Sequence, residues 1–201
     1  MAGAGIIGNL CAQLAALAGC RVVVSDFDRE RLDVLARCVG DKADVIVTAP
    51  GDVPECVGRV SGGLGADAAL LCASTASAAP MEQAVAVVIP GGRIVIVGVF
   101  DITVPREPFF QKEAEITISR AGGPGRYDPI YERDGIDYPP QYARWTESRN
   151  LDAVLRLITD GRLRVDPLIS RSLPAARAHE VYKEIMEGKD RPGIILEWTE
   201  S

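Results

Sequence analysis

The segment Gly3-Ala4-Gly5-Ile6-Ile7-Gly8 constrains this chain more than any other stretch. Three glycines at this spacing make a tight turn that normally leaves a β-strand and enters a helix. The first permits the turn, the second lets another group approach the backbone, and the third lets helix and strand pack closely. Only Met1 and Ala2 precede the turn. A strand needs roughly 5–6 residues, so the expectation is a fold that lacks its first strand. In a sheet of order 3-2-1-4-5-6 that strand is central, and its loss would leave two inner strands without partners.

The rest of the chain supplies the other elements. Gly8 to Leu17 is helix-like and rich in Ala and Leu. "CRVVVSD", "ADVIVTA", "GADAALLCA", "RIVIVGV" and "AEITISR" read as strands. Between them, "DRERLDVLARC", "DVPECVGRV" and "SAAPMEQAVAVVI" have helical spacing, the last stopped by Pro90-Gly91-Gly92. Strands alternating with helices predict an α/β fold, a Rossmann-type doubly wound parallel sheet with helices on both faces. The residue content agrees: 47% hydrophobic but only 5% aromatic is the balance of a buried parallel sheet. Residues 1–120 form this unit, and residues 121–201 an extension. The extension opens with an aperiodic stretch, "AGGPGRYDPIYERDGIDYPPQYARW". It continues with a helix marked by Leu151, Val154, Leu155 and Ile158 and stopped by Gly161. A second helix carries Ala178, Val181, Tyr182 and Ile185 and is stopped by Gly188, and "GIILEW" is a last strand.

A net charge of −6 argues against a surface that tracks nucleic-acid phosphates. The apolar runs are too broken to span a membrane, and no basic segment with a cleavage site follows Met1, so a cytoplasmic setting is expected. Five cysteines, at 11, 20, 38, 56 and 72, have small or apolar neighbours and no tight pairing. They read as buried reduced thiols, with no metal site among them. The only histidine, His179, lies beside an apolar helical stripe and is expected to face solvent. No nucleophile, base and orienting group come together, so no catalytic residue is assigned.

The glycine turn gains meaning from the strand downstream of it. "RVVVSD" is a strand ending in Asp26, eighteen residues beyond Gly8, where a carboxylate can bind the adenosine ribose hydroxyls of a dinucleotide. The helix N-terminus after the turn would face the pyrophosphate. A carboxylate at this point repels a 2′-phosphate, so NAD is expected over NADP. The plain alternatives stay open: an ordinary strand–helix turn, and Asp26 as a helix N-cap or a solvated charge.

"GAGIIGNLCAQLAALAGCRVVVSDFDRERL", "GGLGADAALLCAS" and "GGRIVIVG" resemble the nucleotide-binding half of the medium-chain dehydrogenase/reductase superfamily, the zinc-type alcohol dehydrogenases. "SRAGGPGRYDPIYERDGIDYPPQYARWTESRN" is similar to the dehydrogenase portion of bacterial two-part oxidoreductases, in which it precedes a glucose-fructose-oxidoreductase-like portion. The resemblance implies that Gly3, Gly5, Ile6, Ile7 and Gly8 lie along the pyrophosphate. Asp26 would hold the ribose, Phe27 flank the adenine, and Arg31 lie beside the ribose. Cys72, Ala73 and Ser74 would close over the cofactor, and Val97, Gly98 and Val99 would present backbone groups to the nicotinamide carboxamide. Arg31 as a surface arginine and Val97–Val99 as plain buried strand remain open. Arg120 and Ala121, after the last sheet strand, read better as loop than as nicotinamide contacts.

The resemblance also implies a catalytic domain that this chain does not contain. The family's zinc ligands belong to that domain, and its Gly-His-Glu pattern is absent here. The reading is thus the NAD(H)-binding portion of an alcohol, polyol or sugar dehydrogenase, a truncated piece inactive alone. Its zinc would sit in the missing part, and it would act as a homo-oligomer or with a separate catalytic subunit. The last strand, "GIILEW", would have lost its usual partner. A stand-alone NAD(H)-binding module and a non-functional remnant remain alternatives.

Overall fold

The computed structural model describes residues 1–40, 44–187 and 193–198. Helix α1 (Ile6–Leu17) follows the glycine turn directly, then strand β1 (Val22–Ser25), helix α2 (Arg29–Val39) and strand β2 (Val45–Thr48). Helix α3 (Val53–Ser61), strand β3 (Ala66–Leu71), helix α4 (Ala79–Val87) and strand β4 (Val88–Ile96) continue the alternation. Helix α5 (Arg106–Lys112) and strand β5 (Glu115–Ile118) complete it.

β1 pairs with β2, and β3 with β4 and β4 with β5, all parallel. Among the described residues, no strand of ordinary length stands between β1 and β3, as the sequence predicts. The gap is nevertheless closed at one end. Ala2 bridges both Ser25 and Leu71 in parallel register. Ala2 N donates to Leu70 O at 2.9 Å, Gly3 N to Ser25 O at 2.8 Å, Ser25 N to Met1 O at 2.9 Å and Cys72 N to Ala2 O at 2.8 Å. Unpaired backbone groups at the centre of a sheet are costly, and these three residues satisfy the last pair on each side. Met1, Ala2 and Gly3 therefore do the part of the end of a strand. Below them a cavity of about 360 Å³ remains between the two strands, walled by Met1, Val23, Val53, Val57, Ala68 and Leu70.

Alternation along the strands divides the core. Val22 and Val24 pack with Ala12 of α1 and Leu32, Leu35 and Val39 of α2. Ala69, Leu71, Ile94 and Ile96 pack with Met81, Ala84 and Val85 of α4. Pro90-Gly91-Gly92 does not separate helix from strand as the sequence suggested. The strand begins at Val88, and the register jumps from Ala66↔Val88 to Ala68↔Arg93, so residues 89–92 form a bulge within β4. Gly91 takes φ +72° there, and a Cβ on Gly92 would come within 2.8 Å of Ile89 O, so the two glycines permit the bulge.

The extension contains one helical turn, α6 (Pro129–Glu132), in an otherwise irregular stretch, then α7 (Glu147–Thr159), β6 (Arg171–Pro174), α8 (Ala178–Met186) and β7 (Ile194–Glu197). Gly188, expected to stop α8, lies outside the described residues. The final strand is not left unpaired, since β7 runs parallel to β6 from Arg171↔Ile194 to Pro174↔Glu197. The extension is fastened to α1 through the buried side chain of Gln13. Its Nε2 donates to Arg164 O and its Oε1 accepts from Arg164 N, each at 2.9 Å, while Nε2 also reaches Asn9 Oδ1 at 2.9 Å.

Candidate functional site

The glycine turn sits at the C-terminal ends of the parallel strands, where open α/β sheets form their crevices. Gly3 adopts φ +96°, and a Cβ there would lie 2.9 Å from Ala73 N. Gly8 is tighter: a Cβ would fall 1.9 Å from Gly3 O. Both positions exclude a side chain on account of the protein's own backbone. Gly5 differs. It is the N-cap of α1 at φ −61°, and a Cβ there would meet nothing within 4 Å. The fold itself does not require glycine at position 5, so the open space is available to a ligand. Among the described residues, no side chain caps α1 and no acidic residue occupies its first turn, which leaves the positive end of the helix facing that space.

Asp26 follows β1 and is turned inward, its side chain only 9% exposed. Oδ2 accepts from Ala4 N at 2.7 Å and Oδ1 from Asp28 N at 2.9 Å. The carboxylate thus braces the glycine turn from the side. It is not the N-cap of α2, a role that falls to Asp28, which accepts from Glu30 N. The Arg31 guanidinium stands 3.8 Å from Asp26 Oδ2 and 3.5 Å from Asp28 Oδ2. Phe27 projects into solvent, 94% exposed, at the rim.

These groups surround a cavity of about 690 Å³. Of the residues singled out in the sequence, Gly3, Gly5, Asp26, Phe27 and Arg31 line it from one side and Cys72, Ala73 and Ser74 from the other. Ile6, Ile7 and Gly8 do not line it and form the first turn of α1 behind it. Val97, Gly98 and Val99 lie beside it, on the neighbouring strand end. Val97 N and Gly98 N both donate to Leu71 O, at 2.9 and 2.8 Å, and Thr75 N donates to Val99 O at 3.0 Å. Gly98 is packed so closely that a Cβ would lie 1.9 Å from Ala73 O. Arg120 turns back on its own loop, donating to Gly123 O at 3.1 Å. His179 is exposed on α8, outside this lining.

Among the lining residues that sequence reasoning missed are Pro50 and Gln83, tied by a 2.6 Å bond from Gln83 Nε2 to Pro50 O. Pro50 could have been found from its position just past β2, since crevices in such sheets gather the residues that follow strand ends. Gln83 carries no such signal. The cysteines also need correction: Cys38 and Cys56 are buried, but Cys20 is exposed and Cys11 and Cys72 are only half-buried. Among the described residues, no group of three His, Cys, Asp or Glu side chains is placed to hold a metal ion, and no helix is long and apolar enough to cross a membrane.

Comparison with known proteins agrees with this architecture. The structure called AibC superposes with a TM-score of 0.73 at 24% identity, covering 99% of this chain and 52% of that one. The 2R,3R-butanediol dehydrogenase of Bacillus subtilis gives 0.70 at 20% identity, covering 98% and 50%. The alcohol dehydrogenase of the archaeon Aeropyrum pernix gives 0.68 at 17% identity, covering 97% and 48%. The chain therefore spans about half the length of these structures. No curated protein sequence matches it. The family model of the zinc-binding dehydrogenases matches residues 7–134, from the first turn of α1 through β5 and into the irregular stretch. The chain belongs to the zinc-binding dehydrogenases, within the medium-chain dehydrogenase/reductase superfamily, and corresponds to their Rossmann-type, nucleotide-binding portion.

Proposed function

We propose that this chain holds NAD(H) as the nucleotide-binding portion of a medium-chain dehydrogenase that oxidises an alcohol, polyol or sugar hydroxyl. The observation that carries the reading is the empty space at Gly5, flanked by an uncapped helix N-terminus and by the inward carboxylate of Asp26. Gly3 and Gly5 would admit the pyrophosphate to the backbone, and the first-turn amides of α1 would hold its charge. Asp26 would accept from the ribose hydroxyls, with Phe27 against the adenine and Arg31 beside the ribose. Cys72, Ala73 and Ser74 would cover the cofactor, and the Val97–Val99 backbone would receive the carboxamide. When bound, the nicotinamide supplies the hydride acceptor, while the protein supplies orientation.

The groups that act on the alcohol are proposed to lie outside these 201 residues, zinc among them where the whole enzyme uses one. His179, the only histidine, is exposed on α8 and away from the cavity lining. The chain alone would then bind NAD(H) in a soluble, cytoplasmic enzyme without turning over alcohols. Calorimetric titration with NAD and NADP tests the reading. Binding of NAD in preference to NADP supports it; no binding of either, or tighter binding of NADP, sinks it. Robust alcohol oxidation by the chain alone, followed by NADH absorbance, would overturn the division of labour.

A further inference from the structure

Two of the five cysteines meet at the base of the glycine turn. Cys72 directly follows β3, its N–H bonded to Ala2 O at 2.8 Å, and it lines the cavity. Gly8 lies against it: a Cβ on Gly8 would stand 3.5 Å from the Cys72 Cβ. Cys11 follows Gly8 by three residues on α1, on the same helix face. A helical side chain leans over the turn N-terminal to its own Cα, so Cys11 leans over Gly8. Because Gly8 has no side chain, it leaves room there for the Cys11 and Cys72 thiols to act on each other.

We propose that Cys11 and Cys72 form a reversible dithiol–disulfide site at the base of the glycine turn, oxidised by a peroxide and restored by a dithiol reductant. The Cys11 thiolate attacks one peroxide oxygen. The O–O bond breaks, hydroxide leaves, and Cys11 becomes a sulfenic acid. Cys72 sulfur then attacks the Cys11 sulfur and an S–S bond forms. The sulfenic oxygen leaves as water, taking the Cys72 proton. Two electrons pass from the thiol pair to the peroxide, and a dithiol returns them by exchange.

The surroundings select this pair. The Cys72 thiol lowers the Cys11 pKa to about 7 by hydrogen bonding to it, which favours the attacking thiolate, while the same bond and burial hold Cys72 protonated. Cys38 is pushed the other way by burial. Cys72 lines the cavity, which gives the oxidant its entry.

The test treats the reduced chain, carrying Cys20→Ser, with hydrogen peroxide at low protein concentration. Cys20 is exposed, and it shares one tryptic peptide with Cys11. Alkylation and digestion without reductant should give a linked peptide joining Cys11 to Cys72. The intact mass should fall by about 2 Da, the two thiol hydrogens, and dithiothreitol should reverse both changes. Cys11→Ser and Cys72→Ser should each abolish the link, and Cys38→Ser should keep it. A Cys11 or Cys72 that ends as sulfinic acid, or stays open to maleimide after oxidation, overturns the proposal. Phenylarsine oxide on the unmutated chain gives a second measurement, independent of whether the serine variants fold. Because this arsenical bridges only adjacent thiols, it should protect Cys11 and Cys72 together from maleimide, and labelling of both in its presence overturns the proposal.

Discussion

The side-chain amide of Gln13 and the backbone of Arg164 hold each other in both directions, donor to carbonyl and N–H to carbonyl, each bond 2.9 Å long. Gln13 is buried on α1, and Arg164 lies 151 residues further along the chain. This clasp seats the extension on the sheet domain, with Leu163 buried beside it. Gln13→Ala leaves the Arg164 N–H and carbonyl without these partners, which costs roughly 1–3 kcal/mol. The melting temperature should fall by about 2–4 °C for each kcal/mol. Thermal unfolding of the two proteins checks this, and an unchanged midpoint would show that the clasp contributes nothing net.

The glycines of the turn separate stability from binding. Gly8→Ala forces a Cβ to within 1.9 Å of Gly3 O and must displace backbone. Overpacking of this kind costs about 1–3 kcal/mol or more. Gly5→Ala meets open space at an ordinary φ of −61°, so its melting temperature should stay close to that of the parent. Its affinity for NAD should nonetheless drop, because the methyl group occupies the proposed approach of the pyrophosphate. Paired melting curves and calorimetry decide the matter. Equal losses of stability in both variants would contradict the assignment.

Asp26→Asn keeps the shape of the side chain and its two acceptor positions in part, but removes the charge. Charge-assisted contact to a ribose is worth on the order of 1.5–3 kcal/mol, so NAD binding should weaken roughly tenfold or more. Discrimination against NADP should relax, with the Arg31 guanidinium 3.8 Å away and freed from the carboxylate. Titration of both nucleotides into both proteins is the measurement. An Asp26→Asn variant that excludes NADP as strongly as the parent would place the selectivity elsewhere.

Much of this architecture is legible in the sequence, and the exceptions share a cause. β1 to β5 and α1 to α4 announce themselves through β-branched runs and apolar spacing. α5, "REPFFQK", spans only seven residues with no apolar stripe, and β6, "RSLP", contains proline and has β7 as its parallel neighbour. Neither has a periodicity of its own; each is fixed by what it packs against. The same holds at the site. Asp26 and the glycines follow from spacing, but Gln83 reaches the wall only because α4 lies across Pro50. The seating of Ala2 between Ser25 and Leu71 is a pairing across long sequence separations, invisible to any local pattern.

The cavity under Met1 makes a further expectation. Its walls include Val23 and Leu70 from the two strands that face each other across it. Six residues of the type Val-Leu-Val-Val placed ahead of Met1 should fill it in parallel register, add backbone bonds of about 0.5–1.5 kcal/mol each and raise the melting temperature. A Gly/Ser extension of equal length should not. Identical melting curves for the two extended chains would show that the cavity does not accept a strand.

Backbone pairing between the β1–β2 ladder and the β3–β5 ladder runs, among the described residues, through Met1–Gly3 alone. The sheet is two ladders joined by a single stitch, and the stitch is the first part of the same turn that would meet the pyrophosphate. Whatever steadies Gly3 to Gly8 therefore also couples the ladders, so occupancy of the crevice and cooperativity of unfolding rise together. The amide hydrogens of Ser25 and Cys72, which close the stitch from either side, should exchange with deuterium more slowly in step with nucleotide saturation. Those in the middle of the β4–β5 pairing should keep their own pace.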